Sequence, residues 1–228
     1  MIRADLASVP ERRESLERTV RSLLPQVDRV GVYLNGYEDV PDCLADPRVD
    51  VARSQEHGDR GDTGKFWWSG SAELQLCCDD DLEYPPDYVE RLVEGLRRHA
   101  GAACSFHGHL LRPPFNSISR ARTYHCLRRV DGDHQVHVAG TGVIGFCHDA
   151  ISISPADFEH PNMADIWFAC AAQRQRVRLF ALAHEAGWLK HTAHERTIWS
   201  ESKARTGSAM DTLERKAYVV RSTRWRLP

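Results

Sequence analysis

Short apolar runs and helical stripes alternate along the chain. Ile2 to Ala7 reads as a first strand, and Ser8-Val9-Pro10-Glu11 after it has the S-x-x-E capping-box pattern with a proline in the first turn. Leu16, Val20, Leu23 and Leu24 recur at helical spacing and predict one buried face, which Pro25 ends. Arg29 to Leu34 predicts a second strand, stopped by the turn pair Asn35-Gly36, and Val49 to Ala52 a third. Strand, helix, strand at this spacing is a βαβ unit, so the sheet is expected to be parallel and covered on both faces. Leu74 to Cys78 predicts a fourth strand. A helix opened by Pro85-Pro86 carries Val89, Leu92, Val93 and Leu96 on one side, and Ala102 to Phe106 predicts a fifth strand. Alternation resumes over 136–146, around Gly140-Thr141-Gly142, where glycine inside a strand pattern marks a bulge or a ligand's close approach. A helix over 161–173 places Met163, Ile166, Trp167 and Cys170 on one face. Val177 to Ala183 is the last core strand, and 211–226 predicts a terminal helix rich in arginine.

The chemistry concentrates between these elements. Asp79-Asp80-Asp81 follows the fourth strand directly. Three adjacent carboxylates repel one another and are costly to bury without a counter-charge. In an open α/β sheet, ligands bind at the carboxyl ends of the strands. A hard divalent cation, Mn²⁺ or Mg²⁺, carrying a diphosphate accounts for three acids there, and an exposed acidic turn that caps the next helix is the plainer alternative. The polar stretch 54–65 repeats glycine at 58, 61 and 64 and ends in Lys65, without Walker A spacing. Such a loop lets backbone amides approach a ligand, with Lys65 as a point charge suited to diphosphate. Asp165 near a helix start is favoured by the helix dipole alone. His107 and His109 at a strand end are open either to metal ligation or to an ordinary polar role.

Composition narrows the classes. The chain has 228 residues, 42% of them hydrophobic, enough for one substantial domain. A net charge of -2 gives no basic field for nucleic acid. No apolar run is long enough to span a bilayer, and the first residues show no secretory signal. Seven scattered cysteines without a CxxC read as reduced thiols of a cytoplasmic protein, with no zinc-site spacing. No repeat or linker divides the chain, so one domain is expected over 1–228. Arginines in 110–133 and in the tail leave peripheral membrane association, at the inner face of the membrane, or an acidic acceptor as alternatives to a solvated basic face.

Taken in order, A-S-V-P-x-R at 7–12, G-D-x-G-D-x-G-K at 58–65, C-D-D-D at 78–81, G-T-G at 140–142 and N-M-A-D-I-W-F-A at 162–169 resemble a GT-A glycosyltransferase. The likeness is to glycosyltransferase family 2, and to small bacterial members found with capsule and surface-polysaccharide genes. It covers roughly residues 2 to 190. The resemblance implies an α/β, Rossmann-like fold with a mostly parallel central sheet, helices on both faces and a mobile C-terminal segment. It further implies a nucleotide-binding half over 1–106, an acceptor half over 107–190 and a lid or tail over 191–228. The implied activity is transfer of a sugar from a nucleoside-diphosphate sugar, such as a UDP-sugar, to a glycan or glycolipid acceptor, with Mn²⁺ or Mg²⁺ and inversion at the anomeric carbon. By the same resemblance Ala7, Ser8, Pro10 and Arg12 border base and ribose. Asn35 stands where many relatives place an acid reading the uracil. Asp62 and Lys65 line nucleotide and diphosphate, Asp79 faces the ribose, Asp80 lies near ribose or sugar, and Asp81 holds the metal. Gly140, Thr141 and Gly142 floor the donor sugar and acceptor, Asp165 is the catalytic base, and His191 or His194 completes metal or diphosphate binding. A non-catalytic sugar-nucleotide-binding subunit and a metal-dependent nucleotidyltransferase are the competing readings.

Overall fold

Alternation within β1 (Ile2–Ser8) sets the plan of the sheet. Ala4 and Leu6 point into one apolar layer, while Arg3 and Asp5 point to the other side, buried as an ion pair at 2.7 Å. The first strand is therefore not an apolar run: two of its five buried positions are charged. The S-x-x-E cap does not form either. Ser8 ends the strand and its hydroxyl pairs with the Tyr37 hydroxyl at 2.9 Å, while Pro10–Arg12 makes a 3-10 turn with no side-chain cap. That turn feeds α1 (Arg13–Leu23), whose Leu16, Val20 and Leu23 are fully buried. Each contributes about 1.5–3 kcal/mol of apolar burial. The computed structural model describes residues 1–115, 118, 121–192 and 208–227.

β2 (Arg29–Leu34) and β3 (Val49–Arg53) follow, then a short α2 (Ser54–His57), a 3-10 stretch over Gly61–Phe66, and β4 (Leu74–Asp79). β5 (Leu82–Glu83) leads to α3, which begins at Tyr88 rather than at the proline pair and runs to Arg98. β6 (Ala103–Ser105), β7 (Gly108–Leu110) and β8 (Arg122–Tyr124) come next. The alternating stretch around Gly140-Thr141-Gly142 is divided among β9 (His134–Val136), β10 (Val138–Ala139) and β11 (Val143–Cys147). α4 (Ala164–Gln175), β12 (Leu179–Ala181), β13 (Lys190–His191) and α5 (Ser208–Ser222) complete the described elements.

Eight strands form one sheet in the order β3-β2-β1-β4-β11-β6-β12-β9. β3, β2, β1 and β4 are mutually parallel, as are β6 and β12, whereas β11 runs against both its neighbours and β9 against β12. The fold is thus α/β with a mostly parallel central sheet. α1 and α3 contribute to the apolar layer on one face and α4 to that on the other. β4 shows the division: Leu76 and Cys78 belong to the first layer, Cys77 to the second. The seven cysteines are all free thiols. Among the described residues, no helix is long and apolar enough to cross a membrane.

Candidate active site

Strand order brings the chemistry to one edge. From β1 the chain steps outward to β2 and β3, then returns to place β4 on the other side of β1. The gap between β1 and β4 is therefore a topological switch point, where open α/β sheets form a crevice at the strands' carboxyl ends. Ala7 stands opposite Asp79 across that gap. β11 is antiparallel to β4, with Val143 opposite Cys78, so Gly140-Thr141-Gly142 at its start reaches the same edge. β6 delivers His107 there as well, since Ser105 is opposite Ile144.

Each acid of the triplet meets a cation, and Asp80 and Asp81 share one. The Lys65 ammonium lies 2.5 Å from Oδ1 of Asp79, and Nη1 of Arg12 lies 2.6 Å from Asp80 and 2.9 Å from Asp81. Nε2 of His191 stands 3.4 Å from Asp81. His191 is held there by β13, which pairs with β5 so that His191 faces Leu82, and the Thr192 amide donates to the Asp81 carbonyl at 2.9 Å. Of the two late histidines, His191 therefore meets the triplet; His194 lies outside the described residues. Asp79 remains the most open of the three, at 44% side-chain exposure against 4% for Asp80 and 17% for Asp81.

Burial and these partners set the charges. Burial pushes the Asp80 carboxyl up to about 6 against the pull of Arg12. Burial also acts to raise Asp81, but His191, Arg12 and Lys65 together hold it below the usual carboxylate range. The hydrogen bond to Asp81 raises His191 in turn. Burial works against the charge on Lys65, and Asp79 and Asp62 outweigh it, so the ammonium stays protonated.

Across Gly142 stands the second acid. Asp165 lies in the first turn of α4, and its Oδ1 accepts from the Thr141 amide at 2.7 Å and the Thr141 hydroxyl at 2.6 Å. Burial acts to raise this carboxyl, yet the Thr141 donors with Lys65 and His107 hold it below its ordinary value. Gly142 has no side chain because Asp79 occupies the space: a Cβ there would stand 1.9 Å from its Oδ2. Tyr84, which carries no signal in the sequence, locks this junction by donating its hydroxyl to the Gly142 carbonyl at 2.7 Å and accepting from the Asp79 amide at 2.8 Å.

Several expected ligands are engaged elsewhere. The Asp62 carboxylate accepts from the amides of Asn162 at 2.6 Å and Ala164 at 3.0 Å, capping α4 across the sequence. Lys65 is buried on Asp79 and orients that acid. Arg12 faces Asp80 and Asp81. Asn35, in the position of a base-reading acid, spends both ends of its amide on the glycine-rich loop: Nδ2 donates to the Gly61 carbonyl and Oδ1 accepts from the Arg60 amide, each at 3.0 Å. Ser8 is tied to Tyr37, and Pro10 shapes the turn that aims Arg12. A separate hollow of about 420 Å³ lies between α4 and α5, lined by Trp167, Cys170 and Tyr218 and away from the triplet.

The donor set suits a hard or borderline divalent ion. Asp81 and His191 offer a carboxylate and an imidazole side by side, and Oδ2 of Asp80 is buried with no partner.

No protein-family model and no curated protein matches the chain. Among solved structures, it is similar to glucosyl-3-phosphoglycerate synthase from Mycobacterium tuberculosis in complex with Mn²⁺, uridine-diphosphate-glucose and phosphoglyceric acid, at 21% identity and a TM-score of 0.38 over 46% of this chain. It is similar also to the complex of that enzyme with Mg²⁺ and uridine-diphosphate, at 22% identity and a TM-score of 0.37. The chain spans less than half the length of either, 42%.

Proposed function

We propose that this chain is a metal-dependent glycosyltransferase that moves a sugar from a nucleoside-diphosphate sugar, a UDP-sugar, to a hydroxyl of a glycan or glycolipid acceptor. The reading includes inversion at the anomeric carbon and a role in bacterial surface-polysaccharide synthesis at the cytoplasmic face of the membrane. One observation carries it: the switch-point crevice holds two acid centres with opposite needs, the cation-paired triplet on one side of Gly142 and Asp165, fixed by Thr141, on the other.

Asp81 and His191 would hold Mn²⁺ or Mg²⁺, which when bound neutralises the charge that develops on the departing diphosphate. Arg12 adds a fixed positive charge at Asp80 and Asp81, and Lys65 holds the more open Asp79, which would face the ribose. As the acceptor oxygen bonds to the anomeric carbon, the carbon–oxygen bond to the diphosphate breaks and its electron pair leaves with the nucleotide. Asp165 takes the acceptor's proton. Thr141, spending its amide and hydroxyl on one carboxylate oxygen, keeps that carboxylate ionised and aimed.

Arg12 already neutralises two of the three acids, which favours a second reading: a sugar-nucleotide-binding subunit without catalysis. Calorimetric titration with nucleoside diphosphates, with and without Mn²⁺, tests the first. UDP is expected to bind only with metal, and Asp81→Ala to abolish binding. Asp165→Asn is expected to keep that binding and lower transfer by about 10²–10⁴-fold, the usual worth of a positioned base. Failure of every nucleoside diphosphate to bind with metal overturns both readings, and binding without any transfer leaves the second.

A further inference from the structure

Beneath Gly140 the fold assembles a set of soft and borderline donors that the sequence keeps far apart. His107 leaves the end of β6, its backbone carbonyl accepting from the Gly140 amide at 2.9 Å. A Cβ on Gly140 would stand 2.8 Å from that of His107, so this histidine is packed directly under the turn that holds Asp165. His125 and Cys126 directly follow β8, which pairs with β7. One donor atom from each of His107, His125 and Cys126 lies within 4.8 Å of the other two, and all three residues are half-buried.

Both rings turn Nδ1 towards backbone amides at long range: Cys126 N–H to His107 at 3.5 Å and Leu127 N–H to His125 at 3.2 Å. A metal ion is a stronger partner for those lone pairs. The outer support of a metal-bound histidine is already in place for His107. Its other nitrogen, Nε2, lies 3.3 Å from Nε2 of His109, and Nδ1 of His109 lies 2.9 Å from the Thr123 hydroxyl. With His107 bonded through Nδ1, its Nε2–H donates to His109, whose Nδ1–H donates to Thr123. That is the relay that fixes tautomer and ring orientation at metal sites.

We propose that His107, His125 and Cys126 form a Zn²⁺ site that pins the chain leaving β8 to the chain that follows β6, under the Thr141–Asp165 pair. Two imidazoles and a thiolate select zinc over the Mn²⁺ or Mg²⁺ suited to carboxylates. Three protein ligands leave a fourth tetrahedral position for water. Tetrahedral bonds of about 2.0–2.3 Å put ligand atoms roughly 3.3–3.8 Å apart, so the three must close by about 1 Å, a movement within side-chain rotation. Binding forms a zinc–sulfur bond and releases the Cys126 thiol proton to solvent. The site shares no residue with the acid triplet and does not depend on what the triplet does.

Cobalt(II), a spectroscopic stand-in for zinc, tests this on the full chain after chelator treatment. One equivalent is expected to give a thiolate-to-cobalt charge-transfer band with intense tetrahedral d–d absorption, and Zn²⁺ to displace it. The band is expected to persist in Asp81→Ala, which removes a triplet acid, and to vanish in Cys126→Ser. His125→Gln is expected to weaken zinc binding at least about tenfold. Cobalt binding without a thiolate band, or a band unchanged in Cys126→Ser, overturns the proposal. Should Cys126→Ser fail to fold by circular dichroism, His125→Gln decides by the same titration, and unchanged zinc affinity overturns it.

Discussion

At Gly142 one methyl group decides whether the acid cluster keeps its geometry. Alanine there would put its Cβ 1.9 Å from Oδ2 and 2.3 Å from Cγ of Asp79, so that side chain must swing away and break its ion pair with buried Lys65. Gly142→Ala is expected to cost about 1–3 kcal/mol, the usual penalty for an overpacked site, and to weaken metal-dependent nucleotide binding. Gly132, where an added Cβ would meet nothing within 4 Å, is the control: Gly132→Ala should stay within about 0.5 kcal/mol of the parent in denaturant unfolding. The residue scale is also where the sequence was most informative. Asp165 reads by position as an ordinary helix-start acid and is singled out only by the resemblance, whereas Asp79, Asp80 and Asp81 stand out by type and position. Their partners do not: Arg12 is one arginine among many, and Tyr84 matters only because β4 and β11 meet beside it.

Among the elements, α4 carries Asp165 and depends on a distant loop. Its N-cap, Met163, offers no side-chain cap, and Asp62 supplies the missing acceptor from about 100 residues away in sequence. The loop comes close because Gly61, at φ 51, has no side chain; a Cβ there would meet the Asn162 side chain at 2.8 Å. Asp62→Ala removes that cap and is expected to lower stability by about 0.5–2 kcal/mol in denaturant unfolding. Transfer should fall further than stability does, because Asp165 sits in the turn that loosens, whereas metal-dependent UDP binding should persist. Equal loss of binding and transfer would count against this positioning role. The sequence singled out the glycine-rich loop, but its acid was legible only as a ligand candidate. A carboxylate that caps a remote helix and one that lines a crevice look alike in sequence.

For the molecule as a whole, the polar layer behind β1 makes stability depend on pH. Asp5 is fully buried; Arg3 Nε donates to it at 2.7 Å and Gln75 at 2.9 Å, while Arg3 also reaches Asp50 at 2.7 Å. Burial, against the pull of Arg3, raises the Asp5 carboxyl to about 7. The unfolded chain releases this proton near pH 4, so between about 4 and 7 the folded state binds more protons than the unfolded one. The contribution of Asp5 is therefore full below the unfolded value and is lost as pH rises through the folded one, by at most about 1.4 kcal/mol per pH unit. Denaturant unfolding of the parent and Asp5→Asn at about pH 5 and 7.5 checks this: the parent's advantage should shrink at the higher pH. An equal difference at both would show that Asp5 does not titrate in this window.

While α4, expected to bury one face, is buried on nearly every side, the sequence by itself determined the βαβ opening, the main helices with the buried faces of α1 and α3, and the acids that suit a divalent ion. These follow from local periodicity and from charges too close together to lack a counter-charge. Tertiary structure decided which groups answer those charges. Strand order set Ala7 against Asp79, the β5–β13 ribbon chose His191 to face Asp81, and antiparallel β11 brought Thr141 to Asp165. It also gathered His107, His125 and Cys126, whose sequence spacing shows no metal site. Spacing along a chain reports neighbours within one helix or strand; only the packing of separate strands at a shared edge fixes the distances on which binding and proton transfer depend.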